Sequence, residues 1–190
     1  MNPPSVPFSV IKIGGGLAAV PGALDRVCQA VSASAFDHRI LVVPGGGAFA
    51  NTVREFDRTI GLSSDAAHWM AILAMDQYAH VLAERIPGAT LIEEPGALLQ
   101  ALASSGVVVL APYRWMRSAD VLPHRWEVTG DSIAAFVAGA VDASRLILIK
   151  PATGLSDPVD PYFGTTLPAG LPYFTIGWDR IDELAARLSG

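Results

Sequence analysis

The sequence predicts an α/β fold in which a mainly parallel sheet is covered by helices on both faces. Short strand-like runs alternate with helix-like stretches along the whole chain. The runs are continuously apolar, the pattern of strands with no solvent-facing side. Hydrophobic residues make up 51% of the 190 positions and charged residues 16%, which supports one substantial core and excludes general disorder.

Residues 8–13 (FSVIKI) combine β-branched and aromatic side chains and stop at glycine, which predicts a first strand. Pro21 opens a helix over 21–33 that carries Leu24, Val27, Cys28 and Val31 on one face. Residues 39–43 (RILVV) predict a second strand, closed by Pro44. A helix follows over about 48–57, then a long one reaching about residue 85, with Ser63 and Ser64 as candidate caps and Asp65 in its first turn. The long helix is apolar on most sides, which suits a central position or a subunit contact. Strands are predicted at 89–92 and 107–111 with a helix near 96–104 between them, then a loop from Pro112 to Val128. Thr129 precedes a helix near 131–141, and residues 145–150 (RLILIK) predict another buried strand. A Pro/Gly-rich loop over 151–170, a short strand near 173–176 and a helix at 179–188 follow.

The net charge of −5, without any lysine/arginine cluster, argues against nucleic acid and anionic membranes as main partners. Cys28 is the lone cysteine and cannot form an internal disulfide; its place in an amphipathic pattern reads as a buried, inert thiol. Residues 1–16 hold neither a cationic leader nor an apolar run of spanning length, so a cytoplasmic location is expected.

Chemistry concentrates at two strand ends. Gly14, Gly15 and Gly16 follow the first strand, Gly45, Gly46 and Gly47 follow the second, and Lys12 stands two residues before the first triplet. Successive glycines let backbone N–H groups approach an anion closely, and a lysine at the C-terminal end of a strand reaches the crevice where open parallel sheets bind ligands. Two such loops beside one lysine point to two phosphate groups held together, with charge moving between them. Residues 14–19 also fit the G-x-G-x-x-G/A dinucleotide pattern. Strand two, however, ends in Val42, Val43 and Pro44, with no acidic residue for a ribose hydroxyl. A lysine within the central strand of a dinucleotide fold would also be buried without a partner. A Walker loop is excluded because its lysine follows the glycines.

Four segments in order, Ile11-Lys12-Ile13-Gly14-Gly15, Val43-Pro44-Gly45-Gly46-Gly47, Thr129-Gly130-Asp131-Ser132 and Leu148-Ile149-Lys150, resemble the signature of the amino acid kinase superfamily over roughly residues 8–160. That superfamily includes uridylate kinase, acetylglutamate kinase, aspartokinase and isopentenyl phosphate kinase. The stretches Asp65–Tyr78 and Leu122–Thr129 resemble a small branch, the kinases that phosphorylate an aminomethyl-furan-methyl phosphate in methanofuran synthesis. The resemblance implies a single domain over 1–190, a three-layer α/β/α sandwich with a mainly parallel sheet of about eight strands. The acceptor would lie over its N-terminal half and ATP with Mg2+ over its C-terminal half, with no metal held by protein ligands.

Roles implied by the resemblance follow residue by residue. Lys12 would bridge donor and acceptor phosphates, Lys150 would hold the nucleotide phosphates and Asp131 would orient both lysines. Gly14, Gly15 and Gly16 would contact the transferring phosphoryl group, and Gly45, Gly46 and Gly47 the acceptor. Arg54, His68 and Thr129 are candidate acceptor contacts. Arg114, His124 and Trp126 join them, within a cationic, aromatic segment suited to a phosphorylated ring. His68 reads equally as a core histidine, Arg54 as a solvated one, and the aromatics as packing groups. Thr153, Gly154, Asp157 and Asp160 are candidate nucleotide contacts, the aspartates reading equally as turn residues. An acceptor that is already a phosphate monoester needs no general base, which matches the scarcity of such groups near the glycines. The chain departs from the superfamily pattern at Gly16, where a serine is common, and at Pro151–Leu155, and it lacks the later Gly-Gly-Met segment. Uridylate kinase itself and a non-catalytic nucleotide- or oxyanion-binding protein of the same fold are the alternatives. A homo-oligomer packed through the long helix is expected.

Overall fold

The computed structural model describes residues 7–151 and 159–189. Its strands are β1 (Phe8–Ile13), β2 (Arg39–Pro44), β3 (Thr90–Ile92), β4 (Val107–Leu110), β5 (Arg145–Lys150) and β6 (Tyr173–Gly177). They pair in the order β3-β4-β2-β1-β5-β6, and every neighbouring pair is parallel. The class expected from the sequence is present, but among the described residues the sheet has six strands and not about eight.

The helices are α1 (Ala23–Ser34), α2 (Gly47–Ile60), α3 (Ser64–Arg85), α4 (Leu98–Ser105), α5 (Tyr113–Ala119), α6 (Gly130–Ala140), α7 (Phe163–Thr166) and α8 (Leu184–Ser189). A 3-10 turn at Gly15–Ala19 separates the first glycines from α1, so the helix expected from Pro21 begins two residues later. The last predicted helix is divided, a 3-10 segment at Trp178–Glu183 leading into α8. No helix among the described residues is long and apolar enough to cross a membrane.

Side-chain alternation sorts the sheet into two apolar faces. Val10, Leu41, Val43, Leu146 and Leu148 join α6 in one cluster. Ile11, Ile13, Ile40, Val42, Ile147 and Ile149 join α1 and α8 in the other. α3 feeds both: Trp69, Ile72 and Met75 enter the first cluster, Tyr78 and Leu82 the second. That double burial explains why this helix lacks a polar face. Cys28 sits in the second cluster, and burial pushes its thiol up to about 12, far from reactive thiolate chemistry.

Two elements differ from the sequence expectation. The segment expected to be a loop from Pro112 to Val128 contains α5, and the loop expected over 151–170 contains α7. α3 carries its own cap, since Ser63 Oγ accepts from the Ala66 N–H at 3.2 Å. α5 has no local cap; Asp76 of α3 accepts from the Tyr113 N–H at 2.9 Å. A cap supplied from 37 residues away leaves no signature beside the helix it starts.

Burial raises the Asp76 carboxyl to about 6, although the Tyr113 N–H opposes the shift. A carboxyl with a raised folded-state pKa makes the fold less stable as pH rises through that value, because the native state then has to carry a charge it disfavours. Asp76→Asn keeps an acceptor for Tyr113 and removes the charge. The variant should melt above wild type at pH 7, and the gain should shrink between pH 6 and 4 in calorimetric scans.

Candidate active site

Strand periodicity places two lysines on one face. Lys12 lies two residues after Val10, Lys150 two after Leu148, so both point toward α6 from adjacent strands. β1 is central, with β2 on one side and β5 on the other, so its C-terminal end marks the switch point where parallel sheets open a crevice. Asp131 arrives from the first turn of α6 and stands between the lysines.

Lys150 Nζ donates to Asp131 Oδ2 at 2.5 Å, and Lys12 Nζ lies 2.8 Å from Oδ1. The second contact is an ion pair without hydrogen-bond alignment, which leaves Oδ1 buried with no aligned donor. All three side chains are buried, Lys12 at 7% exposure, Asp131 at 3% and Lys150 at 8%. Burial alone would raise Asp131, but Lys12 and then Lys150 outweigh it and hold the carboxyl below the ordinary aspartate range. Burial, with the charge of Lys12 next, lowers Lys150 despite Asp131. Two ammonium groups against one carboxylate leave a net positive charge inside the protein, and that charge calls for an anion.

The glycine triplets meet above this cluster. A Cβ on Gly15 would fall 2.1 Å from Gly47 N, and one on Gly45 would fall 2.5 Å from Gly15 N. The two loops therefore touch backbone to backbone, and Gly47 also holds a φ of +55°. Gly15, Gly16, Gly45, Gly46 and Gly47 line a cleft of about 440 Å³ with Lys12, Arg54, Thr129 and Gly130. Gly46 and Gly47 also begin α2, whose first N–H groups have no carbonyl partner within the helix. Gly14 does not line the cleft. Its N–H donates to the Ile149 carbonyl at 2.9 Å, and a Cβ there would lie 2.8 Å from that oxygen, so Gly14 serves the sheet rather than a phosphate. Gly45 borders the cleft, but its N–H is bonded to the Ile13 carbonyl.

The remaining predicted site residues divide. Arg54 borders the cleft, its guanidinium 4.8 Å from the centre of the Trp126 ring. Beyond Arg54 the space continues into two small chambers of about 50 and 80 Å³ that share His68, Ala71, Trp126 and Val128. Burial, helped by the neighbouring charge of His124, lowers His68 to about 4, so it meets a ligand as a neutral imidazole at pH 7. His124 stacks on His68 at 4.2 Å and bonds through both nitrogens, to Asp65 at 2.6 Å and Asp120 at 2.8 Å. The Asp65 bond, opposed by burial and seconded by Asp120, raises its pKa. His124 borders neither the cleft nor the chambers and instead fastens the segment after α5 to α3.

Arg114 also stands apart, paired with Glu93 at 3.1 Å and Glu94 at 3.4 Å beside a separate surface hollow. Tyr113 and Trp115 pack onto the core, so the cationic, aromatic segment does not converge as a unit. Asp160, expected at the nucleotide, instead caps α6 from a distance. Its carboxylate accepts from Thr129 N and Oγ1, Ser132 N and Oγ, and Tyr162 N, at 2.5 to 3.1 Å. Thr153, Gly154 and Asp157 lie outside the described residues. Two residues the sequence did not single out belong to the site. Gly130 admits Lys12, whose Cε would lie 3.3 Å from a Cβ there. Asp57 borders the larger chamber and accepts from Trp126 Nε1 at 2.7 Å and Leu62 N at 3.0 Å.

Residues 7–161 match the family model described as the amino acid kinase family. The chain belongs to the amino acid kinase family. It is thus a member of a family of phosphotransferases. Among its relatives is the 5-(aminomethyl)furan-3-ylmethyl phosphate kinase of Methanocaldococcus jannaschii, 28% identical over 148 residues, which cover 78% of this chain and 68% of the relative. A uridylate kinase of Methanothrix thermoacetophila is 29% identical over 153 residues, 78% of this chain and 65% of the relative. The matches thus span about two thirds of those proteins. The fold is shared with the UMP kinase of Bacillus anthracis, at TM-score 0.66, 14% identity and 96% and 92% coverage of the two chains. It is shared as well with the uridylate kinase of Archaeoglobus fulgidus, at TM-score 0.60, 21% identity and 77% and 64% coverage.

Asp131 is the pivot of this site. Asp131→Asn would strand two buried ammonium groups and should destabilise the protein by about 3–5 kcal/mol, the scale for breaking a buried pair. Urea unfolding at pH 7 measures the loss. In wild type the carboxylate's contribution is complete above the unfolded aspartate pKa and declines only as pH falls through its lowered folded value.

Proposed function

We propose that this chain is an ATP-dependent kinase that adds a phosphoryl group to a small phosphomonoester, an aminomethyl-furan-methyl phosphate being the favoured acceptor. The observation that carries this reading is the buried Lys12–Asp131–Lys150 cluster, whose Lys12 lines the cleft between the two glycine loops. The acceptor phosphate would sit among Gly46, Gly47, Arg54 and Thr129 on the N-terminal side. The nucleotide phosphates would approach Lys150 on the C-terminal side.

An acceptor oxygen attacks the γ-phosphorus as the bond to the leaving ADP oxygen breaks, in line. A phosphate monoester has its second pKa at about 6 and reaches pH 7 largely as a dianion, so no residue has to remove a proton. The work left to the protein is alignment and stabilisation of charge on the equatorial oxygens. Lys12 fits that task, since a single carboxylate oxygen occupies one side of its ammonium group while other N–H bonds remain for the cleft. Both Asp131 oxygens face lysines, so magnesium would be carried by the nucleotide's own phosphates and would neutralise charge there.

The size of the two chambers favours a single small ring over a nucleoside, which supports the furan acceptor over UMP. The likeness to a uridylate kinase keeps UMP in the panel as the second reading. With Mg-ATP and a series of phosphomonoesters, phosphorus NMR should show acceptor-dependent diphosphate formation. Lys12→Ala should lower kcat by about 10²–10³, the scale for removing one preorganised charge-stabilising donor. Tight ATP binding without turnover of any acceptor would place the chain among binding proteins instead.

This reading includes a cytoplasmic homo-oligomer. Met70 and Leu73 of α3 are 36% and 41% exposed, and Phe56 and Ile60 of α2 are 53% and 63% exposed, which supplies an apolar contact surface. Light scattering at micromolar concentration should give a multiple of the 19.9 kDa chain mass, and a monomer would rule the assembly out.

A further inference from the structure

The lining of the acceptor space has an order of charge. Gly46, Arg54, Thr129 and Gly130 border both the cleft and the smaller chamber, so an anion bound there sits at its mouth. His68, Trp126 and Val128 border both chambers and form the middle. At the far end stands Asp57. Arg54 and Asp57 are one turn apart on α2, a rise of about 4.5 Å.

We propose that Asp57 is a specificity-determining residue that receives a primary ammonium group on the end of the acceptor opposite its phosphate. The proposal rests on the kinase reading above and adds the feature that selects among phosphomonoesters. Two neighbouring groups bear on it. His68 is uncharged at pH 7 and does not repel an ammonium ion. Arg125 also borders the larger chamber, but its guanidinium lies 5.3 Å from the centre of the Tyr162 ring. Asp57 Oδ2 accepts from the indole N–H of Trp126 and Oδ1 from the Leu62 N–H. A carboxylate has about four acceptor sites, so two remain for the ligand, while the two protein bonds fix its direction. The Trp126 ring thereby locates both charge-reading groups, with Arg54 over its face and Asp57 at its nitrogen. The resulting acceptor class is a small ring or chain bearing a phosphate monoester at one end and an aminomethyl group at the other.

The test compares 5-(aminomethyl)furan-3-ylmethyl phosphate with its neutral hydroxymethyl counterpart, by turnover with Mg-ATP and by titration calorimetry. Wild type should favour the amine in kcat/KM by about 10-fold or more, the worth of one charge-assisted hydrogen bond. Asp57→Asn keeps one acceptor oxygen for Trp126 and gives up the Leu62 bond, so its melting temperature should fall modestly while the fold is kept. It should abolish the preference, lowering kcat/KM for the amine about 10-fold more than for the neutral acceptor, a difference of about 1.4 kcal/mol. Loss of both acceptors to the same extent would show that Asp57 only holds Trp126 and would overturn the proposal. Equal use of both acceptors by wild type would also overturn it and leave the kinase reading intact. Binding of the amine that depends on Asp57, without phosphoryl transfer, would keep the ammonium site and sink the kinase reading. Failure of wild type to bind either acceptor would sink both.

Discussion

The organising constraint is a charge imbalance held inside the protein. Lys12, Asp131 and Lys150 are nearly inaccessible, and their formal charges do not cancel. Such a cluster is tolerable only because each lysine has the carboxylate, because the start of α6 adds its own positive end beside that carboxylate, and because the surplus faces a cleft. The rest follows geometrically. β1 and β5 have to be adjacent, α6 has to begin directly above them, and a glycine at residue 130 leaves room for the Lys12 stem, which a Cβ there would meet at 3.3 Å.

Much of this was legible in the sequence because it depends on local periodicity. Lys12 and Lys150 each close an apolar strand, and the two-residue alternation puts them on the face of Val10 and Leu148. The glycine triplets and the Thr129-Gly130-Asp131-Ser132 segment gave the loops and the start of α6. Two limits appeared. α5 was missed because Asp76, 37 residues away, starts it. Asp160, a candidate nucleotide contact or turn residue by sequence, also reaches the start of α6, and its partners Thr129 and Ser132 lie about thirty positions upstream. The sequence also gave no sign that the lone Asp57 on a polar helix would turn to the Trp126 nitrogen.

Those distant caps do more than complete helices. Asp160 joins the chain beyond β5 to the first turn of α6, the same turn that carries Asp131. A rearrangement after Lys150 is therefore felt at the carboxylate between the two lysines. His124, gripped by Asp65 and Asp120 and stacked on His68, similarly ties the segment after α5 to the wall of the acceptor chambers.

The backbone contact between Gly15 and Gly47 has a mechanical consequence. Two bends that interpenetrate so closely cannot hinge independently, so the cleft wall they form is stiff before any ligand arrives. A rigid wall loses little conformational freedom on occupancy, and more of the interaction free energy can appear as affinity.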